Sequence, residues 1–111
     1  MNLTVFQILL SLREGAKSAT EMLAAIEDFD GGLRSPSLAS FYRNVKRAVD
    51  EGWLEIAVEA SPSKSPGRPG QTYRLTDEGR TATIDEAKRL RDLAAFALPA
   101  DTRLGPKSAD A

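Results

Sequence analysis

Apolar and polar positions follow two different periods along this chain, and the period changes just after Gly52. Val5, Ile8, Leu9 and Leu12 recur at i, i+3, i+4 and i+7, one apolar stripe of a helix over residues 3–14. Gly15 then stands where such a helix ends in a left-handed residue. Ser18-Ala19-Thr20-Glu21 has the spacing of a capping box, Ser18 as N-cap and Glu21 reaching back to it. The helix it opens carries Ala19, Met22, Leu23, Ile26 and Phe29 until Asp30-Gly31-Gly32, where two adjacent glycines make continuation costly. Ser35-Pro36 predicts a third start, a capping hydroxyl followed by proline at the first helical position. Leu38, Phe41, Tyr42, Val45, Ala48 and Val49 form its expected buried stripe, and Gly52 ends it. Its other face presents Ser37, Ser40, Arg43, Asn44, Lys46 and Arg47.

From Trp53 to Glu59 the alternation is period two, with Leu54, Ile56 and Val58 on one side, which predicts a strand. Residues 61–70 read as a loop: they include Pro62, Pro66, Pro69, Gly67 and Gly70 and no apolar side chain to bury. Gln71 to Leu75 resumes the alternation as a second strand, pairing with the first as a hairpin. Thr76 caps a last helix that starts near Asp77 and runs to about Leu98, where Pro99 ends it. The expected fold is mostly α (α+β): a winged helix-turn-helix of three helices plus a two-stranded β-hairpin wing and a C-terminal dimerisation helix. Residues 1–76 form the winged helix domain, 77–98 the dimerisation helix and 99–111 a mobile tail.

Composition narrows the chemistry. At 111 residues and 41% apolar, the chain supports one core. No apolar run is long enough for a membrane span, and Met1-Asn2-Leu3-Thr4 lacks the basic start of a secretory signal, so a cytoplasmic protein is expected. Without cysteine there is no disulfide, thiolate metal site or thiol nucleophile, and without histidine the usual general base is missing. We therefore expect no enzyme, no catalytic residues, no metal and no cofactor. The net charge of −1 hides an uneven distribution: residues 34–74 hold seven basic groups against four acidic ones, while residues 1–33 hold two against five. A local basic surface is what binds phosphate, and the middle third supplies one.

A helix fits the major groove, so the polar face of the third helix is the candidate double-stranded DNA reader. Arg43 suits guanine and Asn44 adenine, while Ser37 and Ser40 suit phosphate or base edges. Arg47 belongs to the same groove-facing side; Lys17, Lys46, Lys64 and Arg74 are candidates for phosphate, and Arg68 on a thin loop for a narrow minor groove. The plainer reading is a solvated helix face beside an exposed loop. On the last helix Ile84, Ala87, Leu90, Ala94 and Leu98 form a stripe with no partner left in so small a core. A second copy of the chain would cover it; a helix folded back on its own domain is the alternative.

Specific residues go further. Phe41-Tyr42-Arg43-Asn44-Val45-Lys46-Arg47-Ala48-Val49-Asp50-Glu51-Gly52-Trp53-Leu54 resembles the recognition-helix signature of the PadR family of transcriptional regulators: tyrosine, a basic pair, an acidic cluster, glycine and an apolar pair. Gly67-Arg68-Pro69, Tyr73-Arg74-Leu75-Thr76 and Gly79-Arg80 resemble the family's wing tip, returning strand and final-helix cap. The resemblance covers residues 3 to about 96. It departs at Ala19-Thr20, where many members carry Gly-Tyr, and at Arg43, where proline is common. It implies a DNA-binding regulator that represses by occlusion, as a homodimer on a palindromic operator. It also implies a DNA-facing Tyr42 hydroxyl and a small hydrophobic or aromatic effector beside an aromatic such as Trp53. A core tyrosine and a structural tryptophan closing the hairpin are the alternatives at those two positions. The rival functions are a winged helix protein-interaction module and a ligand sensor whose DNA binding is secondary.

Overall fold

Asn2 opens the first helix by accepting a hydrogen bond from the Val5 backbone N–H at 2.8 Å. Helix α1 spans Leu3–Ser11, and its stripe of Val5, Ile8 and Leu9 is buried together with Leu12 just beyond its end. The computed structural model describes residues 1–29, 31, 35–58 and 71–99. Helix α1 stops three residues short of the expected 14, and Gly15 has a φ of 156°, outside the left-handed helical well expected of it.

The capping box forms as read. The Ser18 N–H donates to Glu21 Oε1 at 2.8 Å and the Glu21 N–H to Ser18 Oγ at 3.2 Å, opening helix α2 over Ala19–Phe29. Strand β1, Lys17–Ser18, overlaps the box at Ser18 and adds a third strand to the expected two-stranded hairpin. It pairs antiparallel with β3 (Thr72–Leu75), which pairs on its other side with β2 (Leu54–Val58), giving the order β1-β3-β2. Two residues carry no detectable period, and the capping signal accounted for Ser18 without a strand.

Helix α3 spans Leu38–Asp50. Its N-cap is Ser37, whose hydroxyl accepts from the Ser40 N–H at 3.1 Å, so the expected start at Ser35-Pro36 is corrected by two residues. Leu38 is corrected too: it is 60% exposed, and the buried row begins one turn later at Phe41 and continues through Val45 and Ala48. Tyr42 and Val49 are half-buried at its edge. Gly52 ends the helix at a φ of 82°, a conformation costly for any side chain with a Cβ.

Tyr73 of β3 is fully buried in the core beside Ile8, Met22, Ile26, Phe41 and Leu54. Its hydroxyl donates to Gln71 Oε1 at 3.2 Å, while Gln71 Nε2 is buried with no acceptor among the described residues. Thr76 caps helix α4 (Asp77–Ala95) through the Gly79 N–H at 3.0 Å, and its hydroxyl donates to the Gly52 carbonyl. The Thr76 N–H donates to the Trp53 carbonyl at 3.1 Å, and the Trp53 N–H to Ala48 at 3.0 Å. Trp53 is half-buried against the core, tying α3, β2 and the start of α4 together.

Helix α4 ends at Ala95 rather than near Leu98, with Phe96 as its C-cap. It packs on α1, and Gly79, Thr83 and Glu86 are its buried residues. Arg89 chelates Glu86 with two hydrogen bonds, Nε to Oε1 at 3.0 Å and an end nitrogen to Oε2 at 2.6 Å. Those hydrogen bonds hold the Glu86 carboxyl below its ordinary value of 4.5; partial burial opposes the shift, and the charges of Arg89 and the chain's N-terminal ammonium add to it. A depressed carboxyl stabilises the fold above its unfolded pKa and loses that contribution as pH falls through the folded value. Glu86→Gln is therefore expected to lower the urea midpoint at pH 7 and to converge on the wild type below about pH 4.5. A constant gap from pH 7 to pH 3 would show that the pair has no such role.

Candidate nucleic-acid interface

One side of α3 fills the core and the other carries cations. Arg43, Lys46 and Arg47 are all exposed. Lys46 Nζ lies 3.0 Å from Asp50 Oδ2, an exposed i,i+4 pair of the kind worth about 0.3–0.5 kcal/mol and open to exchange. Among the described residues neither Arg43 nor Arg47 has a carboxylate partner. Two guanidiniums on one exposed helix face, each with five donors, match phosphates and guanine edges.

The expected site does not come together whole. Asn44 is corrected: it is 7% exposed and its amide is used internally. Its Oδ1 accepts from Asn2 Nδ2 at 3.0 Å, and its Nδ2 donates to the Ser40 carbonyl at 2.7 Å and to Ser40 Oγ at 3.3 Å. Asn44 stands beside Phe41, Val45 and Ala48 on the helix, so its polar type suggested solvent where its position is inward. Ser40 is half-buried in the same network, and the Ser37 hydroxyl accepts from the helix backbone. The half-buried Tyr42 ring packs edge-on against Phe41, with centroids 5.2 Å apart at 72°.

Arg74 lies on the sheet, opposite Glu55 in the β2–β3 register, with Nε 2.6 Å from Glu55 Oε2. The pair is exposed on both sides, so phosphate can compete for the guanidinium. Lys64 and Arg68 lie outside the described residues, as do the rest of the 61–70 loop and positions 100–111 of the tail. On α4 the apolar stripe is at the surface: Ile84 is 54% and Leu98 41% exposed, Ala87 and Ala94 are exposed, and Leu90 is half-buried. Beside it, Phe96 is 85% exposed.

Two features around α3 escape a reading of the sequence. Asn2 links the start of α1 to α3; asparagine directly before an apolar periodic run is the signal that marks it as a cap. Leu38 at the start of α3 is the other, and a stripe argument conceals it because its spacing matches the core row.

Three helices followed by an antiparallel hairpin whose far strand leads into a fourth helix define a winged helix domain of the regulator class. The Transcriptional regulator PadR-like family matches residues 8–84, and the chain belongs to that family. Among solved structures, a transcriptional regulator from Clostridium thermocellum superposes with a TM-score of 0.70 at 17% identity, covering 85% of each chain. H. salinarum RosR superposes at 0.66 and 24% identity, covering 93% of this chain and 84% of that one. Bacillus subtilis PadR, solved in complex with operator DNA, superposes at 0.62 and 23% identity. That alignment covers 78% of this chain but only 47% of the Bacillus subtilis chain, so this chain spans about half of its length. At these identities the likeness speaks for the fold. No curated protein matches the sequence. Among the described residues no helix is long and apolar enough to cross a membrane, and no cluster of carboxylates could hold a metal ion.

Proposed function

We propose that this family member binds duplex DNA as a homodimer, placing α3 in the major groove of each half of a palindromic operator and repressing by occlusion. The observation that carries the reading is the pair Arg43 and Arg47, exposed and without carboxylate partners among the described residues, on the one face of α3 that the core leaves open. Lys46 and Arg74, each in an exposed ion pair, add phosphate contacts by exchange. In sequence, the β2–β3 connection adds Lys64 and Arg68 for the flanking backbone and minor groove. The Bacillus subtilis relative solved with operator DNA supports the same use of the fold.

The two-fold arrangement rests on α4. Its exposed row of Ile84, Ala87, Ala94 and Leu98 would be an unusual apolar surface in a monomer, and a mate's α4 covers it. Such a dimer sets two copies of α3 about one helical turn of DNA apart, roughly 34 Å.

Titration of labelled duplex from the gene's own upstream region tests the reading. With about six phosphates neutralised, log affinity is expected to fall against log salt with a slope near −5. Light scattering after size exclusion is expected to give twice the chain mass at micromolar concentration. Salt-insensitive binding would favour a protein-docking role, and a monomeric mass would remove the two-fold operator.

A further inference from the structure

Two contacts mark an A·T pair in the major groove: a bidentate amide on adenine and an apolar side chain on the thymine methyl. In this protein the first is unavailable on α3, because Asn44 is 7% exposed and its amide is bound to Asn2 and Ser40. The second is present. Leu38 occupies the first position of α3, is 60% exposed, and is followed by the exposed Ala39.

At about 100° per residue, Leu38 stands about 40° around the helix from Tyr42, 80° from Lys46 and 140° from Arg43. It stands within about 20° of Val45, so it continues the core-facing row one turn beyond the core, at the N-terminal end of α3, while Arg43 and Arg47 lie on the cationic side. Leu3, Phe29, Ile84 and Phe96 are also exposed, but none lies on the helix that carries Arg43, Lys46 and Arg47. A leucine at that place gains nothing from phosphate, and early residues of a groove-bound helix are those that reach base edges. The thymine methyl is the apolar group that a major groove offers.

We propose that Leu38 is a specificity-determining residue that packs on the methyl group of one thymine position in the bound site. The proposal rests on the DNA-binding reading above and adds a base preference to it. With Arg43 in the next turn of α3, the half-site joins a thymine contact at the helix N-terminus to a guanine contact on its cationic side.

The full chain is first used to select a duplex from a randomised 30-base-pair pool. Each thymine of the recovered duplex is then replaced singly by deoxyuracil, which removes only the methyl group. At one thymine position the wild type is expected to lose about four-fold in affinity, the worth of one buried methyl. Leu38→Ala is expected to bind the thymine duplex more weakly and to be indifferent to uracil at that position, while Arg43→Ala keeps the wild-type uracil response. Leu38→Gln, which keeps the length but not the apolar surface, should behave like Leu38→Ala, and circular dichroism melts confirm that both variants fold. If a duplex is recovered but Leu38→Ala responds to every uracil as the wild type does, the Leu38 assignment is wrong and DNA binding stands. If the pool yields no preferred duplex, both fall together.

Discussion

Replacing Arg43 and Arg47 together by alanine is expected to weaken duplex binding by about 30-fold to 10⁴-fold, with no change in the thermal midpoint. Each is an exposed guanidinium with no carboxylate partner among the described residues. A bidentate base contact is worth about 1–3 kcal/mol, so two such contacts sum to roughly 2–6 kcal/mol. Their removal leaves the core row of Phe41, Val45 and Ala48 intact, and exposed substitutions usually stay within about 0.5 kcal/mol of neutral. The same variant is expected to lose about two units of salt slope if both side chains meet phosphate, and less if Arg43 meets a base. Lys46→Ala is the internal comparison: its ammonium is already shared with Asp50, so the loss is smaller. A double variant that binds like the wild type would remove α3 from the interface.

The second large effect is on stability. Gly79 lies in the first turn of α4, and a Cβ built there falls 2.0 Å from the Trp53 carbonyl oxygen. Alanine for glycine inside a helix ordinarily stabilises by about 1 kcal/mol, so the sign of the change is diagnostic. Here the contact is backbone on both sides and cannot rotate away; α4 must shift from Trp53. That shift strains the Thr76 N–H bond to the Trp53 carbonyl and the Thr76 cap on Gly79, both made at this junction. Overpacking of about 1–3 kcal/mol and a lost cap of about 1 kcal/mol exceed the propensity gain. The net, about 1–3 kcal/mol, should lower the midpoint of a circular dichroism melt by roughly 5–20 °C. A Gly79→Ala protein that melts at or above the wild type would mean α4 does not rest on Trp53 in this way.

These two residues also show how unevenly the chain can be read. Gly79 belongs to a family motif, but its reason is visible only once α4 is laid on the Trp53 carbonyl. Arg43 and Arg47 were legible because a helical period places them opposite Phe41, Val45 and Ala48, and no distant partner intervenes. Asn44 runs against the sequence pattern because its polar type suggests exposure where its position is inward. The cue to its inward position was the same period that placed its neighbours, with Asn2 completing the network from the other end of the fold. Leu38 is the reverse case, an apolar residue one turn ahead of the surface that the core covers.

What the chain determined locally is its punctuation. The Ser18–Glu21 box, the Thr76 cap and the turn at Gly52 all arise from groups a few residues apart, whose geometry needs no tertiary partner. The tertiary structure alone decided the pairing of Lys17–Ser18 with β3, the inward turn of Asn44, the exposure of Leu38 and the face on which α4 docks. Each of these depends on groups far apart in the chain, 42 residues in the case of Asn2 and Asn44. Such contacts exist only after packing has set which side of each helix is already occupied.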